Sequence, residues 1–215
     1  MSNSKQKSTQ PSAPKRKIPV LWIVFVGVAI LLIGTVALSG GGTSEAGEQT
    51  GAPVISGEPL PQFPDSAIND PALGLTAPEV VGSDFNDEPV AIQHDGTPTA
   101  VVFLAHWCSH CQAEVRGVVP WLEETGGVEG VDLISVATAI DSRSSNYPPS
   151  SWLEREDWPV PVIRDDVNSS VLSAYGSGGF PYWVFLDGQG QVVRRTAGEL
   201  PIEVLEAYLA EIAAT

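Results

Sequence analysis

From residue 89 onward the apolar positions switch between a period of two and a period near 3.6. Residues 89–96, PVAIQHDG, alternate apolar and polar side chains and end in Asp95-Gly96, which predicts a strand running into a turn. Residues 99–105, TAVVFLA, are an unbroken apolar run of strand length, as expected for a strand covered on both faces. In 112–125, QAEVRGVVPWLEET, Val115, Val118 or Val119, and Leu122 share one helical stripe. VDLISVAT at 131–138 is strand-like again, so strand, helix and strand follow one another and predict a parallel crossover.

The segment from Asp141 to Pro161 reads as an insertion, a polar loop leading into SSWLERED, where Ser151 and Glu154 have the spacing of a capping box. VPVIRDD predicts a strand and NSSVLSAYG a helix closed by Gly176. YWVFLD and QVVRRTAG are two strand-like runs joined by DGQG, a hairpin signal. The last pattern, PIEVLEAYLAEIAA, carries Ile202, Leu205, Tyr208 or Leu209, and Ile212 on one stripe, with Pro201 suited to a first helical turn. These elements predict an α/β fold with a central mixed sheet flanked by helices.

Two further segments precede the domain. Residues 18–38, IPVLWIVFVGVAILLIGTVAL, contain no charge and are long enough to cross the roughly 30 Å hydrocarbon layer as a helix. The cluster KRK lies before this stretch and has no counterpart after it. A cytoplasmic basic tail at 1–17, a retained single-pass helix at 18–38 and an extracytoplasmic remainder are therefore expected. A cleaved signal peptide is the competing reading, with small residues at Ala37 to Ser39; in both the domain is exported. Residues 39–73 are rich in Gly, Pro, Ser and acids without sustained periodicity, so a flexible linker is expected there and the folded domain at 74–215.

Charge is segregated along the chain. Beyond residue 17 stand six arginines, no lysine and all 26 acids, a net charge of −20. A surface that acidic repels phosphate backbones and argues against a nucleic-acid partner.

The chemistry concentrates in AHWCSHC at 105–111, which holds both cysteines and two of the three histidines. A Cys-x-x-Cys at the end of a buried strand and the start of a helix places Cys108 over unsatisfied helix N–H groups, which favour thiolate over thiol. Cys111, one turn inward, is then positioned to attack a mixed disulfide formed on Cys108 and resolve it. His110, between the two, can give the thiolate a hydrogen bond or a positive charge and leans the pair toward an oxidant. The dithiol carries the electrons itself, so no cofactor is implied. Two other readings of the same residues stay open: a structural disulfide, and a metal-binding chaperone or sensor using His106, Cys108, His110 and Cys111. Covalent haem attachment is excluded, because Gln112 stands where a histidine is needed. His94 reads as a strand residue without a role.

VVFLAHWCSHC, followed much later by GGFPYWVFLD, resembles the thioredoxin superfamily. LTAPEV, Glu114 three residues after Cys111, the insertion and FLDGQGQVVRRTAG resemble its membrane-tethered extracytoplasmic branch of the TlpA/ResA type. The resemblance covers about residues 74–213. It implies a thioredoxin-like fold with Pro181 as a cis-proline facing the dithiol and Phe180 presenting its backbone to an extended substrate, beside Trp107 as a shielding aromatic. It also implies protein thiols or disulfides as substrates, a membrane electron-transfer partner, and reduction of clients that include the haem-binding cysteines of apocytochromes. Thioredoxins proper carry a buried aspartate in the strand before the motif, where Val102 stands here. Glu114 is therefore the candidate for proton transfer to Cys111.

Overall fold

The computed structural model describes residues 48–64 and 69–215. The basic tail and the membrane-spanning helix expected at 1–38 lie outside the described residues. Among the described residues no helix is long and apolar enough to cross a membrane.

Twelve elements follow in order among the described residues: β1 (Val54–Ser56), β2 (Glu79–Ser83), β3 (Pro89–Ile92), β4 (Thr99–Leu104), α1 (Ser109–Thr125), β5 (Asp132–Ala137), α2 (Pro149–Arg155), β6 (Val162–Arg164), α3 (Ser170–Ala174), β7 (Tyr182–Leu186), β8 (Val192–Ala197) and α4 (Ile202–Ala213). Five strands form a mixed sheet in the order β6-β5-β4-β7-β8. In it β4, β5 and β6 run parallel, while β7 is antiparallel to β4 and β8 antiparallel to β7. A second, antiparallel sheet has the order β1-β2-β3.

The unbroken apolar runs of β4 and β7 are explained by burial on both faces. Val101 and Phe103 of β4, with Tyr182 and Val184 of β7, enter a core shared with Val80, Ile92, Ile163 and Tyr175. Ala100, Val102 and Leu104 alternate to the other face, where Trp183 and Phe185 meet Val115 and Val118 of α1 and Leu205, Leu209 and Ile212 of α4. The hairpin between β7 and β8 turns where DGQG predicts it. Asp187 Oδ1 accepts the N–H groups of Gln189 and Gln191, and Gly190 takes the φ of 72° that the turn requires.

Two expectations need correction. The linker expected at 39–73 is, in its described part, built into the domain. Its residues 54–56 pair with β2, Leu60 donates its N–H to Ala174 O at 2.8 Å, and Gly51 donates to Asp165 O at 2.9 Å. Asp70 lies buried in an ion pair with Arg195, and Leu60 and Ala72 join the core. Composition missed this because the segment is held by backbone bonds and a few side chains inserted into a core supplied by others, which needs no apolar periodicity of its own. The second correction concerns α2, which begins at Pro149, two residues before Ser151, with no side-chain cap of its own. The Ser150 N–H is instead taken by Gln49 Oε1 at 3.1 Å, a cap delivered by the same N-terminal segment.

Candidate active site

β4 ends at Leu104, and a tight turn, closed by Cys108 N–H to Ala105 O at 3.0 Å, carries the chain into α1. Cys108 is the N-cap residue of this helix, in an extended conformation, and its sulfur makes no capping bond to the first-turn N–H groups. Both cysteines are free thiols; Cys108 is half-buried and Cys111 fully buried. The Cys108 thiol points at the carbonyl of Phe180, 3.8 Å away. The Cys111 sulfur accepts the Ala105 N–H at 3.4 Å. Burial pushes the Cys111 thiol far above its ordinary value; the Ala105 bond opposes this, and smaller contributions from Cys108 and Glu114 add to the rise. The arrangement thus pairs an accessible sulfur with a sequestered one that stays protonated until it is needed.

The Phe180-Pro181 peptide is cis, as expected from the resemblance, and the Tyr147-Pro148 peptide in the insertion is cis as well. Trp107 is 40% exposed, meets Phe180 edge-on with ring centroids 5.9 Å apart, and donates its indole N–H to Ala139 O at 2.7 Å. Together the two rings form an apolar rim beside Cys108.

Glu114 is not on a solvated helix face. It is buried, accepting Trp183 Nε1–H at 2.7 Å and Leu200 N–H at 2.9 Å. Burial raises its carboxyl above the ordinary range, the two hydrogen bonds oppose that, and the charge of Glu199 adds to the rise. Trp183 is the cross-strand partner of Val102, so Glu114, reaching in from α1, bonds β7 directly opposite Val102.

The histidines depart from expectation. His110 does not address the sulfur: its Nδ1 faces Glu199 at the rim of the site. His106 is buried, bonding Ser145 O through Nδ1 at 2.7 Å and accepting Asp141 N–H at Nε2 at 3.2 Å, so it ties the inserted loop to the motif. Those bonds require a neutral ring with the proton on Nδ1. With both nitrogens spent on backbone, His106 cannot join the four-ligand set of the metal reading. Among the described residues no three metal-ligating groups are gathered. His94, read as having no role, is a half-buried residue beyond β3 whose N–H meets Glu79 Oε1 at 3.1 Å. Sequence reasoning missed Glu199, which lies in TAGEL outside any periodic segment, and the role of His106, whose partners stand 35 and 39 residues away.

The thioredoxin-like domain family matches residues 85–213, more than half the chain. The chain belongs to this family. Over 193 residues it is 25% identical to the methylamine utilization protein MauD of Paracoccus denitrificans, covering 88% of this chain and 84% of that protein. It is 26% identical over 122 residues to the thiol-disulfide oxidoreductase ResA of Oceanobacillus iheyensis, which spans 55% of this chain and 59% of the relative. Among solved structures, StoA of Bacillus subtilis superposes with a TM-score of 0.52 at 17% identity, covering 63% of this chain and 98% of that one. The family, its ResA-type relatives and the dithiol at the mouth of α1 identify a thiol-disulfide oxidoreductase, as the sequence motif implied.

Proposed function

We propose that the protein is tethered by residues 18–38 to the outer face of a cell membrane and exchanges disulfides with exported proteins, drawing on a membrane electron-transfer partner when it reduces them. The observation that carries the chemistry is the accessible Cys108 sulfur, set beneath the Phe180 carbonyl and above the buried Cys111. The Cys108 thiolate attacks a client disulfide, forming a mixed disulfide and releasing one client thiolate. Cys111 gives up its proton and attacks the Cys108 sulfur, closing the 108–111 disulfide and releasing the second client thiolate. Two electrons pass to the client, and the partner returns them by the reverse sequence. The extended strand of a client lies along Phe180, with Trp107 covering the reacting sulfurs.

The outward placement rests on the apolar stretch and its basic flank. In spheroplasts, externally added protease should digest the domain while the protein sediments with membranes; protection from protease would overturn the topology.

Glu114 is proposed as the group that receives the Cys111 proton during resolution. Its carboxyl, buried one helical turn from Cys111 and raised above the ordinary range, can take up a proton from the thiol. Glu114→Gln should slow release of the mixed disulfide by on the order of 10²-fold while leaving the first attack by Cys108 nearly unchanged. Equal slowing of both steps in stopped-flow measurements would assign Glu114 a structural part only.

A further inference from the structure

Three consecutive residues after β8 cross the rim of the dithiol, and each touches a different part of it. Gly198, at φ 98°, donates its N–H to Pro181 O at 2.8 Å. Glu199 faces Nδ1 of His110. Leu200 donates its N–H to Oε2 of Glu114 at 2.9 Å. Most exposed ion pairs contribute little, since ordering two long side chains offsets the attraction. Here the bonds on either side of Glu199 fix its backbone, so the fold itself sets the carboxylate beside the first turn of α1.

His110 stands two residues after Cys108. An imidazole free in that position can donate an N–H to a thiolate at 108 or place a positive charge beside it, which stabilises the reduced form and makes the disulfide a stronger oxidant. In the structure Nδ1 is committed elsewhere and the ring is 67% exposed. We propose that Glu199 is a positioning residue that holds His110 away from Cys108, biasing the dithiol toward reduction of its clients. Glu199 touches neither sulfur and acts through the imidazole. This inference rests on the oxidoreductase activity described above.

The readout is the equilibrium between the protein dithiol and oxidised glutathione. Cys108 and Cys111 give up two electrons and two protons, the glutathione S–S bond breaks, a 108–111 bond forms, and two glutathione thiols take the protons. The equilibrium constant is measured on the full-length chain in detergent for wild type, Glu199→Gln, His110→Ala and the double variant. Glu199→Gln should shift it about tenfold toward the protein dithiol, equivalent to a rise of about 30 mV in reduction potential. In the His110→Ala background the same substitution should move it by less than about twofold. An unchanged constant in the single variant overturns the proposal. So does a full tenfold shift without His110, which would mean that the Glu199 charge acts directly on the sulfurs or on Glu114. A wild-type protein that never equilibrates with glutathione removes the oxidoreductase reading, and this inference with it, a result distinct from either.

Discussion

Replacing Cys111 by serine should leave client proteins covalently held on Cys108, whereas Cys108→Ser should hold none and lower disulfide turnover by about three orders of magnitude or more. The asymmetry follows from burial: Cys108 is reachable and Cys111 is fully enclosed, so only the first can meet a client and only the second can release it. Serine is the informative substitution at 111, because its oxygen can still accept the Ala105 N–H that the sulfur accepts at 3.4 Å. Non-reducing gels of envelope extracts, followed by release with reductant, measure the outcome. Equal trapping by both variants would contradict the division of labour. Absence of trapping by Cys111→Ser would leave the fold without its chemistry.

Asp70→Ala is expected to cost about 3–5 kcal/mol of stability, measured as a shift in the urea midpoint. Arg195 is fully buried in β8, where it donates Nε–H to Asp70 Oδ2 at 2.8 Å, its Nη2 also facing Asp70, and Nη1–H to Pro61 O and Tyr175 O at 2.8 and 3.1 Å. Removing the carboxylate strands a guanidinium in the core, and it loosens the N-terminal segment held by the same side chain. A loss below about 1 kcal/mol would show that the pair is solvated in solution.

The same pair predicts an acid limb. Burial pushes the Asp70 carboxyl up, but the hydrogen bonds from Arg195 and Ala72 and the Arg195 charge outweigh it and hold the group below its ordinary value. With the folded-state value depressed, the stabilisation is fully present above the ordinary aspartate value near ~4 and is lost as pH falls through the folded one. Wild type should therefore lose stability below about pH 4 more steeply than Asp70→Asn.

The elements beyond residue 89 were legible because each carries a local signal. β4 and β7 are short apolar runs, α1 and α4 are stripes, and DGQG closes a hairpin through the Asp187 side chain. The dithiol was equally legible, since both sulfurs lie within four residues at the start of the α1 stripe. Where the sequence misled, the deciding partner was distant: residues 48–64 are held by contacts to α2, α3 and β8, and α2 is capped by Gln49, 101 residues away.

By its own pattern, then, the sequence determined the mixed sheet, the order of strands and helices beyond residue 89, and the reactive pair at the start of α1. Periodicity and helix-end chemistry are properties of neighbouring residues, so folding is not needed to read them. Only the tertiary structure decided that Glu114 is buried behind Cys111, that His106 holds the inserted loop, and that Glu199 rather than Cys108 receives His110. A side chain's partner and its ionisation depend on what the fold brings within a few ångströms and how much water it removes, and neither quantity is local in the chain.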